Sequence, residues 1–510
     1  MRALISVYDK TGIDGLARGL AELGWTLVAS GGTAAHLESL GLAPEKVEHL
    51  TDFPELLGGR VKTLHPRIHA GILARRDREE DTAALAEHGI EPFDLVVINL
   101  YPFEDVAGRH GVREEEAVEL IDVGGPSMLR GAAKNFAHVA PVCRPEQYAA
   151  VLGELRERGE LSHETRRRLA AEAFATTAAY EAAIAGWFAD RDTFPAGLTL
   201  AFDKELDLAY GENPHQRAAY YSERRARRHL LSRVEQLHGR ELSYNNLNDL
   251  NGAVLLAREF TLPACVIVKH ANPCGAAVGG TVDEAYERAL AADPVSAYGG
   301  IVVLNRPVGA DLGARLAEQF VEVLLAPGYD DAALEPLRAK PSVRVLVDRE
   351  RRGWEPGERE YRRVLGGLLV QDRDWDVEDR AGMEVVCGAP SEQAWGDLLF
   401  AWRVCKHVAS NAIVLVKDLR TVGIGAGQMS RVDAVRIAVE KAREHGHDLA
   451  GAALASDAFF PFPDGPRIAL EAGVTALIQP GGSKRDGDVV AAVESAGAAM
   501  VFTGRRHFRH

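Results

Sequence analysis

The chain has 510 residues, of which 46% are hydrophobic and 26% charged, and its formal net charge is −15. This length predicts at least two domains with separate cores, and the acidic balance gives no sign of nucleic-acid binding, although local cations can still meet anionic substrates. The five cysteines are scattered and form no Cys-x-x-Cys pair, which disfavours a disulfide framework and a zinc knuckle. Apolar runs are too short for a membrane span. We therefore expect a soluble cytoplasmic protein.

The first part of the chain alternates short apolar runs with helical patterns. Strands are predicted at 3–7, 26–29, 95–98 and 139–142, and helices at 13–23, 33–40 and 114–121. This alternation indicates a parallel α/β sheet with helices on its faces. In such sheets functional groups gather at the carboxyl ends of the strands.

Five polar segments accompany these predicted elements. A Gly-Gly turn that leads into a helix presents backbone N–H groups to an anion, although a tight turn with a Ser or Thr cap fits the same pattern. Basic residues after the pair Gly58–Gly59 suit close approach to an anionic ligand. Five such segments on one sheet favour a binding site. Its candidate residues are Lys10, Thr11, Ser30, Gly31, Gly32, Thr33, Arg60, Lys62, Thr63, Asn99, Tyr101, Asp122 and Lys134.

The blocks 58–73 and 121–135 resemble the inosine monophosphate (IMP) cyclohydrolase domain, whose fold is similar to methylglyoxal synthase. The resemblance covers residues 1–195. It implies that Lys10 and residues 30–33 hold the nucleotide phosphate. It also implies a set around the reacting end, with Lys134 as the proton shuttle: Lys62, Tyr101, Asp122 and Lys134. Residues 190–199, which include proline and glycine, are predicted to be the linker.

The second part of the chain has a predicted buried strand at 266–268 that delivers Lys269 and His270 into a turn at 272–275. A lysine beside an imidazole can couple proton transfer with charge stabilisation, although a surface Lys–His pair at a strand end also fits. The Asn-rich segment 243–249 is predicted to be a loop, and 349–363 an exposed connection.

An internal repeat is also predicted. A strand at 266–269, a glycine turn at 278–279 and a helix at 283–292 recur at 414–417, 422–423 and 433–442, which indicates a duplicated α/β unit. The glycine-rich loop at 423–427 lacks the third glycine of the dinucleotide fingerprint, because Gln428 stands there. NAD is therefore not predicted.

The blocks 269–275, 423–428 and 506–510 resemble 5-aminoimidazole-4-carboxamide ribonucleotide (AICAR) transformylase, over residues 199–510. With the first part, the whole chain resembles the bifunctional enzymes of IMP biosynthesis. The resemblance implies an α/β fold with two domains. Residues 1–195 would form a methylglyoxal-synthase-like parallel sheet domain, and 199–510 a transformylase half of two cytidine-deaminase-like α/β units.

The implied reactions are formyl transfer from 10-formyltetrahydrofolate to AICAR, followed by cyclodehydration to IMP. By resemblance, His270 is the base, Lys269 stabilises the oxyanion or protonates the departing folate nitrogen, and Asn411 orients the substrate or the imidazole. The remaining positions are Tyr210, Gly299 and Arg431 for the nucleotide, and Phe459, Asp464, Ser483 and Arg506 for the folate. The resemblance further implies a homodimer without nucleic-acid or membrane partners, and no metal or redox cofactor.

Two other functions remain open at this stage. The first domain could be a phosphate-binding regulatory module, which would leave only the transformylase catalytic; Lys62, Asp122 and Lys134 together argue against this. A metal-dependent deaminase is disfavoured, because Ala277 stands where a second thiolate after Cys274 is needed. One departure from the family is Ala209, where an arginine normally precedes Tyr210. Arg217 and Arg240 are the nearby candidates to replace it.

Overall fold

The computed structural model describes residues 1–53, 57, 60–109, 111–189, 194–224, 229–349, 358–374 and 379–510. It comprises two units, one formed mainly by Met1–Asp203 and the other by Lys204–Ser222 with Arg227–His510. The predicted linker at 190–199 lies just before this division, and its residues 190–193 are outside the described residues. Within the described ranges, no helix is both long and apolar enough to cross a membrane.

The first unit is an α/β fold around one parallel sheet. Its strands are β1 (Arg2–Val7), β2 (Thr26–Ala29), β3 (Glu45–Lys46), β4 (Leu95–Asn99) and β5 (Ala140–Val142). Its helices are α1 (Ile13–Glu22), α2 (Gly31–Ser39), α3 (Val47–Thr51), α4 (Pro66–Leu73), α5 (Glu79–Glu87), α6 (Phe103–Ala107), α7 (Glu114–Val118), α8 (Gly124–Lys134), α9 (Tyr148–Arg158) and α10 (His163–Phe188). The strand order is β3-β2-β1-β4-β5, and every pair is parallel. All carboxyl ends therefore meet at one edge of the sheet.

The predicted strands and helices of this unit are confirmed, with small shifts at their ends. The second predicted helix begins at Gly31, two residues earlier than expected, because Ser30 has extended backbone angles and serves as the N-cap residue. Gly31 and Gly32 therefore form the first turn of α2. The helix predicted at 114–121 ends at Val118.

The second unit is a larger α/β fold. Its strands are β6 (Phe202–Leu208), β7 (Ala218–Glu223), β8 (Val234–His238), β9 (Ala264–Lys269), β10 (Asn272–Val278), β11 (Gly300–Leu304), β12 (Val321–Ala326), β13 (Arg344–Asp348), β14 (Arg359–Val364), β15 (Gly367–Asp372), β16 (Glu384–Cys387), β17 (Ile413–Lys417), β18 (Arg420–Gly425), β19 (Ala453–Ser456), β20 (Ala476–Gln479) and β21 (Ala499–Phe502). Its helices are α11 (Tyr244–Ala257), α12 (Val282–Ala292), α13 (Pro294–Ala297), α14 (Ala310–Glu318), α15 (Asp331–Arg338), α16 (Glu392–Cys405), α17 (Arg431–Glu444), α18 (Asp464–Glu471) and α19 (Asp486–Ser495).

Twelve of these strands form one sheet whose order repeats itself about its centre. The order is β16-β21-β20-β19-β17-β18-β10-β9-β11-β12-β13-β8. On each side of the β18–β10 contact lies an antiparallel hairpin, and next to it a run of three parallel strands and one antiparallel edge strand. The predicted duplication is confirmed by this topology.

The loop predicted at 423–427 is confirmed only after Gly425, where β18 ends, and is wrong for the residues before that end. Gly423 and Gly425 lie within β18, and a Cβ atom at Gly423 would collide with the carbonyl oxygen of Ala438 in α17. Gly275 in β10 has the same relation to Ala289 in α12. In both repeats, the missing side chain allows a helix to lie directly on a strand.

Two other predictions of irregular structure are wrong. Residues 272–275 lie in β10, and the turn is His270–Ala271; a bulge after Pro273 accommodates the proline within the strand. The segment 243–249 begins α11, because Ser243 and Asn246 form a capping box. Of the exposed connection predicted at 349–363, residues 350–357 are outside the described residues; from Arg359 onward the chain forms β14, most of whose residues are exposed.

Candidate functional site

The carboxyl ends of β1 and β2 bring together the residues predicted to hold a phosphate. The Ser30 hydroxyl lies 3.2 Å from that of Ser6, and the Thr33 hydroxyl bonds the backbone of Val7 at 3.1 Å. A Cβ atom at Gly31 would come 2.5 Å from Lys62 Nζ. The Lys62 ammonium therefore lies at the N-terminal turn of α2, where unpaired helix N–H groups favour an anion.

The loop after β1 places Lys10 beside this turn. Its ammonium donates to the carbonyl oxygens of Val7 and Tyr8, and burial lowers the pKa of Lys10. The Asn99 amide holds the loop, because it accepts from the Asp9 N–H at 3.0 Å and donates to the Asp9 carbonyl at 2.8 Å. Thr11 bonds the Asp9 carboxylate at 2.7 Å through its hydroxyl. Thr11 and Asn99 therefore shape the loop that carries Lys10.

A second cluster surrounds the N-terminus of α8. The Asp122 carboxylate accepts from the Gly125 N–H at 2.9 Å, and burial raises the Asp122 pKa despite this bond. Burial and the nearby Asp122 charge raise the pKa of Tyr101. The Thr63 hydroxyl packs against Gly124. Because Lys62 adjoins Thr63 in the chain, these two residues link the Asp122 cluster to the N-terminal turn of α2.

Lys134 and Arg60 are not brought into these clusters. Lys134 is the exposed last residue of α8, which places it about 15 Å along the helix axis from Gly124 at 1.5 Å per residue. The exposed Arg60 guanidinium is paired with Glu119. The glycines at 58–59 lie outside the described residues.

In the second unit, the predicted site residues follow one edge of the twelve-stranded sheet. Strands β9, β18 and β19 end at this edge, while β10 and β17 begin there. Strands β20 and β21 run parallel to β19 and so end at the same edge. Residues at 269–272, 411, 431, 459, 483 and 506 flank these strand ends.

Lys269 and His270 lie at the β9–β10 hairpin. The Lys269 ammonium donates to the carbonyl oxygens of Gly299 at 2.7 Å and Tyr298 at 3.1 Å. Gly299 has φ +70°, and a Cβ atom there would come 3.0 Å from the same ammonium. The exposed His270 has φ +51°. The predicted lysine, histidine and glycine are therefore neighbours.

Asn411 and Arg431 form a buried hydrogen-bond network. The Arg431 guanidinium donates to Asn411 Oδ1 at 2.7 Å, to Ser456 Oγ at 2.9 Å and to the fully buried Asp457 carboxylate. Asn272 connects the β9–β10 hairpin to this region, because its side-chain oxygen accepts from the Ala409 N–H at 2.8 Å. Arg431 thus donates these hydrogen bonds to protein acceptors and orients the Asn411 side chain.

The positions predicted for folate lie further along the edge. Phe459 follows β19, and Ser483 and Arg506 follow β20 and β21. Asp464 begins α18 and accepts from the Gly465 N–H at 2.9 Å. With strands about 4.8 Å apart, β19 lies roughly 19 Å and β21 roughly 29 Å from β9.

Three charged residues along this edge of the sheet were not predicted as site residues from the sequence: Asp249 at the hairpin, Glu322 in β12 and Arg344 at the start of β13. The Asp249 carboxylate accepts the N–H groups of His270 at 3.2 Å and Ala271 at 2.7 Å. The Arg344 guanidinium donates to the carbonyl oxygen of Glu241 at 2.8 Å; burial lowers the pKa of Arg344, and the nearby Glu322 carboxylate acts in the opposite direction. In the sequence, only the repetition of the hairpin could have pointed to Asp249. Arg344 and Glu322 reach this region through strand pairing, which the sequence does not show.

Comparison with known proteins finds two family models that match this chain. The family model described as "AICARFT/IMPCHase bienzyme" matches residues 132–441, and that described as "MGS-like domain" matches 12–127. Two relatives carry the name "Bifunctional purine biosynthesis protein PurH". The one from Magnetococcus marinus is 50% identical over 100% of this chain and 99% of its own length. The one from Bacillus cereus strain AH187 is 48% identical with the same coverage.

One solved structure, titled "Crystal structure of ForH", is 42% identical and covers 37% of this chain and 99% of its own, with a TM-score of 0.34. A TM-score this low does not establish a common fold. The family match spans more than half of the chain, and the relatives align along its whole length. The chain therefore belongs to the AICARFT/IMPCHase bienzyme family, with an MGS-like N-terminal domain.

Proposed function

We propose that each unit of this bifunctional enzyme of purine biosynthesis carries one of the two reactions, in the cytoplasm. The second unit transfers a formyl group from 10-formyltetrahydrofolate to AICAR, and the first closes the formylated product to IMP. The observation that carries this proposal is the presence of two separate clusters of charged residues, each at the edge of its own sheet. The cluster at Asp122 also disfavours a merely phosphate-sensing first unit, since sensing needs no half-buried carboxylate there.

For formyl transfer, the AICAR amine is a poor nucleophile because its lone pair is delocalised into the ring and carboxamide. A base must therefore remove its proton during attack, and an imidazole is suited to this near neutral pH. We assign that step to His270. The Lys269 ammonium, held by two carbonyl oxygens, leaves a third N–H for the developing oxyanion or the departing folate nitrogen.

The nucleotide would be held by residues around the same hairpin. Asn411, oriented by Arg431, offers its amide to the substrate or the imidazole. Tyr210 and Gly299 line the nucleotide side, and Arg344 with Arg240 supplies cations where Ala209 has replaced the family arginine.

Cyclisation is intramolecular, so positioning supplies much of its rate. The phosphate binds at the α2 turn with Lys10 and Lys62, which points the carboxamide and formyl groups towards Asp122 and Tyr101. Asp122 accepts the proton of the attacking carboxamide nitrogen, and Tyr101 donates a proton to the formyl oxygen. Loss of the formamide N–H proton and a second protonation of that oxygen then release it as water and complete the ring. Lys134 lies at the far end of α8, so the cyclisation step within one chain is assigned to Asp122 and Tyr101, and the proton-shuttle role of Lys134 stays an expectation from the resemblance.

The folate positions suggest a homodimer with shared transformylase sites. Phe459, Ser483 and Arg506 lie roughly 19–29 Å from β9 along the sheet edge, by strand spacing. Tyr298 and Met429, which flank the candidate site, are 63% and 101% exposed. Both observations fit a site completed by a second copy, and light scattering during size exclusion tests the dimer.

The proposed function is tested by supplying the substrates of each reaction separately. Purified protein given the formylated ribonucleotide without folate should form IMP. Given AICAR and 10-formyltetrahydrofolate, it should form IMP and tetrahydrofolate. Failure of the first reaction with success of the formyl transfer would leave the first unit as a phosphate-binding module.

A further inference from the structure

The two repeats of the second unit each contain a hairpin turn held by one aspartate. In the first repeat, Asp249 accepts the N–H groups of His270 and Ala271 at 3.2 and 2.7 Å. In the second, Asp397 accepts those of Asp418 and Leu419 at 3.0 and 2.6 Å. All four turn residues have positive φ, between 51° and 61°. We call these two arrangements the first and second clasp.

The clasps occupy equivalent places in the duplicated fold. Asp249 and Asp397 are each the sixth residue of a 14-residue helix that is capped by a serine. Each precedes by 20 positions the lysine that ends the first hairpin strand, Lys269 or Lys417. The two carboxylates therefore perform the same backbone task in two copies of one structure.

Only the first clasp holds a turn with catalytic chemistry. Where the first repeat has Lys269–His270, the second has Lys417–Asp418. The Lys417 ammonium is paired with Asp448 at 2.8 Å, and the Asp418 carboxylate accepts from Gln393 at 2.9 Å. The second turn thus lacks the imidazole, and the side chains of Lys417 and Asp418 are both paired within their own repeat.

The first clasp controls where the imidazole points. Non-glycine residues pay a steric cost for positive φ, so a two-residue turn of His and Ala needs external support. Within the part of the chain that the structure describes, no hydrogen bond holds the His270 ring. Its Cα–Cβ direction is therefore set by the turn backbone, whose two amides both bond Asp249.

We propose that Asp249 is a positioning residue for formyl transfer, which acts by fixing the backbone of the His270 turn, and that Asp397 is its structural counterpart without a catalytic role. This inference rests on the proposed role of His270. Removal of the carboxylate should loosen the turn and misplace the imidazole, and a displacement of about 1 Å lowers a rate by roughly 10²-fold.

The experiment compares matched variants in the full-length protein: Asp249→Ala, Asp249→Asn, Asp397→Ala and Asp397→Asn. For each, we would measure the unfolding temperature, the rate of IMP formation from formylated ribonucleotide, and kcat and KM for formyl transfer. Asp249→Ala should lower the transfer kcat roughly 10²-fold with little change in KM, since the nucleotide anchors are intact. Asp249→Asn, which keeps one acceptor oxygen, should fall between it and the wild type.

The Asp397 variants should change the unfolding temperature as much as the Asp249 variants and leave the transfer kcat within about twofold of wild type. Equal losses of kcat in both series, or a wild-type kcat in folded Asp249→Ala, would overturn the inference. If Asp249→Ala does not fold, the Asn pair decides in the same way. His270→Ala distinguishes failure of the proposed base from failure of the positioning role. If His270→Ala retains formyl transfer, the proposed base is refuted. If His270→Ala is inactive while Asp249→Ala transfers at the wild-type rate, only the positioning role of Asp249 is refuted.

Discussion

Replacement of Arg431 by methionine tests whether this residue holds the protein or the nucleotide. The Arg431 side chain is 8% exposed and its partner Asp457 is 0% exposed. Methionine fills similar volume but leaves the Asp457 carboxylate buried without its cation. It also removes the donor that orients Asn411 at 2.7 Å.

The expected cost is large because the lost partner is buried. Breaking a buried ion pair from one side costs about 3–5 kcal/mol. At roughly 2–4 °C per kcal/mol for a large domain, the unfolding temperature of the transformylase unit should fall by about 6 °C or more. Arg436, on the same helix, is the matched control: its pair with Asp433, at 2.7 Å, has side chains that are 54% and 50% exposed. Exposed pairs contribute about 0–1 kcal/mol, so Arg436→Met should shift unfolding by no more than a few degrees.

Thermal unfolding followed by circular dichroism, with formyl-transfer kinetics on the same samples, measures both effects. We expect Arg431→Met to lower the unfolding temperature and kcat, since Asn411 is no longer oriented. If Arg431→Met unfolds at the wild-type temperature and only raises KM for AICAR, Arg431 serves the ligand and our interpretation of the buried network is wrong.

Three further variants test the individual sites. Asp122→Asn should abolish cyclisation yet raise the unfolding temperature at neutral pH. Burial raises the Asp122 pKa, so the ionised carboxylate lowers the stability of the folded state above that pKa. Calorimetry should show that the difference in unfolding temperature between variant and wild type shrinks as the pH falls to the ordinary carboxyl range. Gly31→Ala should raise KM for the formylated ribonucleotide, because φ is +45° there and the Cβ would displace Lys62 Nζ, whereas Gly32→Ala, with nothing within 4 Å of its Cβ, should not; equal effects would contradict the phosphate turn. Arg344→Met should raise KM for AICAR about tenfold or more with cyclisation unchanged, and an unaltered KM would show that Arg344 is no nucleotide anchor.

The elements of the fold that the sequence predicts well are those with strong local signals. β1, β2 and β4 are short buried apolar runs, and their bounds differ by at most one residue from the prediction. The prediction failed where tertiary contacts decide. Gly423 and Gly275 are typical of turns, but they lie in strands because a helix backbone contacts each of them.

The candidate sites were predicted less completely than the fold. Lys269 and Gly299 are 30 positions apart in the chain, yet a resemblance to known motifs was enough to select both. Asp249 ends the Asn-rich segment 243–249, and its spacing to Lys269 recurs at Asp397 and Lys417, but only its bonds to the His270 turn show what it does. Lys134 shows the converse, since a motif selects it, while helix geometry separates it from Asp122 by most of the length of α8.

The central claim is that two independent sites, one in each unit, work in series. Its most direct test is product analysis of His270→Ala and Lys62→Ala, separately and mixed, with AICAR and 10-formyltetrahydrofolate as substrates. Alone, His270→Ala should leave AICAR unchanged, and Lys62→Ala should accumulate the formylated ribonucleotide. The mixture should form IMP. No IMP from a mixture of two folded variants, or loss of both activities in either variant, would contradict the account.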